Sequence, residues 1–166
     1  MAVTKDQILD ATERRIRDGG YGGFSFRDVA ADVGIKSASV HHHFPTKTDL
    51  SAAVARRYTD RLIEAVQGVP DEKRIGEWRQ IFRNALRQDG RMCLCGILGA
   101  ESGALPEPVV AEAKRFFQLA TKTIADKDTV HQDTGLRVFA ALEGAMLMAR
   151  AMDDPDVFDR ATASLG

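Results

Sequence analysis

The stretch Phe26-Arg27-Asp28-Val29-Ala30-Ala31-Asp32-Val33-Gly34-Ile35-Lys36-Ser37-Ala38-Ser39-Val40-His41-His42-His43-Phe44 decides how the rest of this chain is read. It holds two short runs with helical spacing on either side of Gly34. Ala30 is small where two helices must touch, Gly34 has the backbone freedom of a tight turn, and Val40 is an apolar anchor on the second run. Val29, Val33 and Ile35 fill the remaining inward positions. The spacing predicts helices over residues 26–33 and 37–43, the second stopped at Phe44-Pro45 because a residue before proline is biased away from helical geometry. Helices this short do not stand alone, so they must dock on neighbours. Lys36, Ser37, Ser39, His41 and His42 are left pointing outward. Such a row of hydrogen-bonding groups is what a recognition helix offers to a DNA major groove.

Outward from this segment, three helix starts share one local chemistry. Thr4 with Gln7, Ser25 with Asp28, and Thr46 with Asp49 each place a hydroxyl three residues before a side chain that returns the hydrogen bond. The first opens a helix over residues 4–18, closed by Gly19-Gly20-Tyr21-Gly22-Gly23. The third opens a long helix that carries Leu50, Val54, Tyr58, Leu62 and Val66 as far as Gly68-Val69-Pro70. Ile75, Trp78, Ile81, Phe82, Ala85 and Leu86 mark another amphipathic helix, ended by Asp89-Gly90. A short apolar segment, residues 92–100, leads into a helix with Val109, Ala113, Phe116, Phe117, Ala120 and Ile124. Residues 126–132 are polar and read as a connection. The last strong element, residues 134–152, is apolar on more than one face, which points to a subunit partner. With no strand pattern anywhere, the fold expected is all-α: a three-helix helix-turn-helix domain over residues 1–50, and a helical domain over residues 51–166, which the family resemblance given below makes a ligand-binding and dimerisation domain.

Composition narrows the function classes. Hydrophobic residues make up 44% and charged residues 28%, which is globular usage and excludes a disordered chain. No apolar run reaches the ~20 residues of a membrane span, and the first residues lack the apolar stretch of a signal peptide, so no membrane partner and a cytoplasmic location are expected. Cys93 and Cys95 are one residue apart, which makes a mutual disulfide awkward. The net charge is −1, but residues 1–57 carry nine Lys and Arg against seven Asp and Glu, while residues 58–166 carry 14 against 17. That asymmetry is weak, so the case for DNA rests on pattern.

The pattern resembles the TetR (tetracycline-repressor-like) family of transcriptional regulators. Members carry a stretch like Leu-Tyr-Tyr-His-Phe-x-x-Lys at the end of the recognition helix. This chain reads Val40-His41-His42-His43-Phe44-Pro45-Thr46-Lys47, followed by Asp49-Leu50. The departure is His41-His42 where tyrosines are usual. The resemblance implies that Arg27, Ser37, Ser39, His41 and His42 contact bases or phosphates and that Lys47 contacts a phosphate. Lys36 joins them from the outward row. His43 reads as a packing or capping residue. Consecutive helical histidines point ~100° apart and cannot converge on one ion, so no metal and no cofactor are expected.

For the second half the resemblance implies a small-molecule inducer site and a homodimer on a palindromic operator. Candidate ligand-lining residues are Trp78, Phe82, Leu86, Cys93, Phe116, Phe117 and Met146. Candidate dimer residues are Leu136, Phe139, Ala140, Glu143, Gly144 and Leu147, with residues 158–165 as a second interface helix. The stretch Cys93-Leu94-Cys95 with Glu101 downstream resembles a branch of the family that includes sensors of oxidants or electrophiles. A thiol sensor using Cys93 or Cys95 is therefore the alternative within this class. A small helical enzyme is the alternative outside it, but no nucleophile elbow, phosphate loop or spaced metal motif supports one. The expectation is a regulator and not an enzyme.

Overall fold

The computed structural model describes residues 4–124 and 133–165, so the connection expected at residues 126–132 lies outside the described residues. Among the described residues there are nine α-helices and no strand: α1 Lys5–Gly19, α2 Phe26–Val33, α3 Ser37–His43, α4 Lys47–Gln67, α5 Arg74–Asp89, α6 Leu94–Ala100, α7 Glu107–Ile124, α8 Thr134–Ala151 and α9 Asp156–Ala161. No helix among these residues is long and apolar enough to cross a membrane.

All three reciprocal caps form. The Thr4 hydroxyl accepts the Gln7 N–H at 3.3 Å while the Gln7 side-chain oxygen Oε1 accepts the Thr4 N–H at 2.8 Å. Ser25 and Asp28 repeat the exchange at 3.3 and 2.8 Å, and Thr46 and Asp49 at 3.1 and 3.1 Å. Each exchange satisfies two of the backbone donors that a helix start leaves open.

By compactness the chain groups into two units, residues 1–58 with 94–114, and residues 59–93 with 115–166. This differs from a single division at residue 50, because α6 and the start of α7 join the N-terminal unit. In that unit Ile8, Ile16, Val29, Val40, Leu50, Val54 and Leu98 are fully buried. The Glu101 carboxylate, just past α6, accepts the Tyr21 N–H at 2.9 Å. Gly20 is required beside it: its φ is +72°, and a Cβ there would lie 2.0 Å from Glu101 Oε1.

The second unit is built on an aromatic centre. Trp78 and Phe82 of α5, Phe116 of α7 and Phe139 of α8 meet edge to face, with Trp78 and Phe139 centroids 4.9 Å apart. The indole N–H donates to Thr123 Oγ1 at 2.8 Å, so the buried ring leaves no polar atom unmet. At Gly135 a Cβ would lie 2.2 Å from the Thr121 carbonyl oxygen, so α7 and α8 approach this closely only at glycine.

Candidate nucleic-acid interface

Helices α2 and α3 are joined by the turn that the sequence requires. Gly34 sits in the left-handed region at φ +75°, and its N–H and that of Ile35 return to the carbonyls of Ala30 and Ala31. Val40 is fully buried and anchors α3, while its neighbours His41, His42 and His43 are exposed. Ala38, Ser39, His42 and His43, with half-buried Ile35, line one open groove along the outer face of α3. Their spacing is one helical face.

The expected contact residues divide accordingly. Arg27, Lys36, Ser39 and His42 are exposed, and Ser37 is half-buried at the first turn of α3. His41 is exposed but its ring packs edge-on against Phe26, centroids 4.4 Å apart, away from the groove residues. His43, expected to pack or cap, is exposed in the last turn of α3 and stands beside His42 on the groove face at 5.7 Å between centroids. Spacing alone carried the signal: residue 43 lies four positions after Ser39.

Lys47 is turned inward more than expected. Its ammonium donates to the Phe24 carbonyl at 2.6 Å and lies 4.7 Å from the Tyr21 ring centroid and 4.4 Å from that of Phe24. Burial pulls its pKa below the usual lysine value, with Asp28 acting weakly in the other direction. The acids of α2, beside α3, are engaged. Asp28 takes the Ser25 hydroxyl at 2.7 Å, which holds its pKa below the carboxylate norm, and Asp32 takes Arg15 at 2.6 Å, with the same effect.

In the second unit, Trp78, Phe82, Leu86, Cys93, Phe116 and Met146 are buried and Phe117 is half-buried. The aromatic members among them fill one another's space as core. Phe139, expected on the dimer face, belongs to that core at 3% exposure, because α8 turns it toward Trp78. Phe158 is likewise fully buried, so α9 turns its largest side chain inward. Leu136 and Leu147 are 57% and 61% exposed, Ala140 is exposed, and the space above half-buried Gly144 is open. Met148 and Met152 are also exposed. Glu143 Oε1 is buried without a hydrogen-bond partner, and burial pushes the carboxyl pKa up to about 7, partly offset by a hydrogen bond from Cys93. Among the described residues no cluster of His, Cys, Asp and Glu has metal-holding geometry.

These features define an all-helical protein with an N-terminal helix-turn-helix. The sequence model of the family described as bacterial regulatory proteins, tetR family, matches residues 8–54. The HTH-type transcriptional repressor KstR2 of Mycolicibacterium smegmatis is 31% identical over 70 residues, which are 42% of this chain and 34% of that protein. The chain thus spans about a third of the length of the curated relatives it matches. A TetR transcriptional regulator from Legionella pneumophila superposes with a TM-score of 0.87 at 26% identity, covering 100% of this chain and 99% of the other. A TetR-family regulator from Agrobacterium tumefaciens does so at 0.83 and 28%, covering 96% and 93%. The likeness to the tetR family is thus carried by residues 8–54 in sequence and by the helical fold in structure.

Proposed function

We propose that this protein is a sequence-specific DNA-binding transcriptional regulator, a repressor that leaves a palindromic operator when a small apolar or aromatic ligand enters its second unit. The observation that carries the reading is the α2–α3 pair, in which buried Val40 fixes the helix and Ser39 and His42 stand exposed on one outer face. KstR2 being a transcriptional repressor supports the same reading. The exposed apolar row on α8, with Leu136, Leu147 and Met148, supports a homodimer, and a two-fold dimer places two such helices on a two-fold operator. The thiol-sensor alternative has the weaker support. Cys93 and Cys95 are buried, and a buried thiol away from solvent behaves as a small apolar side chain. Selection of random duplexes by the purified protein, followed by sequencing and a stoichiometry titration, tests the proposal. Recovery of a palindrome bound by two chains is the expected result. Salt-sensitive binding without sequence preference would remove the regulator reading.

A further inference from the structure

The reading helix carries almost no standing charge. Residues 26–44 hold Arg27 and Lys36 against Asp28 and Asp32, a balance of zero. Several cations of the N-terminal unit are also committed internally: Arg15 to Asp32, Arg57 to Asp10, Arg56 to Glu112 and Lys47 to the Phe24 carbonyl. Affinity for duplex DNA depends strongly on how many phosphates a protein neutralises. An uncharged reading helix is therefore poorly equipped, unless charge arrives from elsewhere.

Imidazole is the side chain whose charge changes between about pH 5 and 8. His42 and His43 are exposed side by side on the groove face of α3, whereas the His41 ring lies against Phe26. We propose that His42 and His43 are a proton-dependent phosphate-binding pair, neutralising DNA phosphates in the imidazolium form. The proposal rests on the DNA-binding reading above. The groups on the surrounding elements leave the role open to phosphate. On α2, Asp28 is held by Ser25 and Asp32 by Arg15, and on α4, Asp49 is held by Thr46. Of the cations on these elements, Arg27 and Lys36 are exposed, Lys47 on α4 is held by the Phe24 carbonyl, and Lys5 lies over the Phe44 ring. A phosphate beside an imidazole favours its charged form, so on this proposal binding DNA takes up protons and affinity rises as pH falls.

The test is the affinity of the full chain for one mixed-sequence duplex, measured by fluorescence polarisation across a salt series at about pH 8 and about pH 6. Each added phosphate contact steepens the log–log salt dependence by ~0.9, so the pair adds up to about 2 to the slope at the lower pH and raises affinity on the order of tenfold at moderate salt. In His42→Gln/His43→Gln, checked for folding by circular dichroism, the slope becomes the same at both pH values. A wild-type affinity that ignores pH overturns the proposal, as does a pH response that survives in the double variant, which would then arise in another group. Failure of the protein to bind any duplex at either pH defeats the DNA-binding reading itself, a separate result.

Discussion

Replacing Lys47 with methionine removes a charge that the structure uses twice, once inside the fold and once, on the proposed reading, at the DNA. The internal use is geometric. The ammonium meets the Phe24 carbonyl at 2.6 Å and two aromatic faces within 4.7 Å. A hydrogen bond from a charged donor contributes about 1.5–3 kcal/mol and each cation–ring contact of a partly exposed ammonium about 0.5–1. Lys47 is only half-buried and methionine keeps most of the aliphatic stem, so the net loss is set at the low end, about 2 kcal/mol. For a chain of this size that is a fall in Tm of roughly 4–8 °C. The external use appears in a salt titration of duplex binding, where loss of one phosphate contact makes the slope shallower by ~0.9. The two assays separate the roles. A lowered Tm with an unchanged slope confines Lys47 to the fold. A Tm within about one degree of wild type would refute the claim that the Phe24 carbonyl and the two rings hold it.

Glu143→Gln is expected to flatten the pH dependence of stability. The carboxyl titrates near 4.5 when unfolded and at about 7 when folded, so the folded chain binds the extra proton across that window. Its stabilisation is complete below the window and is lost as pH rises through it, by at most on the order of 3 kcal/mol; urea melts at several pH values that show the same slope in variant and wild type would sink the assignment. Gly135→Ala forces a methyl group against the Thr121 carbonyl and should cost about 3 kcal/mol or more in the same melts, whereas Gly144→Ala, which meets open space, should cost little; equal effects would contradict the close α7–α8 approach. Leu147→Lys places a charge in the exposed α8 row and should convert a dimer to monomers in sedimentation velocity, an outcome excluded if the wild type already sediments as one chain.

What was legible in the sequence is what depends on near neighbours. Thr4, Ser25 and Thr46 announce their helix starts because the partner side chain is three residues away, and the turn at Gly34 follows from its place between two apolar anchors. Of the outward set expected on α3, Ser39 and His42 line the groove, while His41 turns to Phe26 and His43 takes a place on the groove face. What stayed hidden depends on distant residues. Helix α8 is apolar nearly all round, so its pattern does not tell that Phe139 turns toward Trp78 while Leu136 faces out. Lys47 appears in the motif as a surface cation, yet its latch is a carbonyl 23 residues back. Glu101 reaches an N–H 80 residues away, a separation that no local spacing encodes.

The composite make-up of the N-terminal unit bears on how such proteins can be recombined. The match to the family model ends at residue 54, and a builder of chimeras who exchanges N-terminal domains between relatives would naturally splice near there. That cut leaves Glu101 with the recipient, so the grafted Tyr21 would offer its N–H to a side chain chosen for another reader, and the grafted Gly20 would face whatever stands in place of that carboxylate. The exchangeable cassette is two pieces of sequence, residues 1–58 and 94–114, with the intervening segment as passenger. Grafts that move only the first piece should fold as a partly mismatched part, and restoring the second piece should repair them without any change to the exposed face of α3.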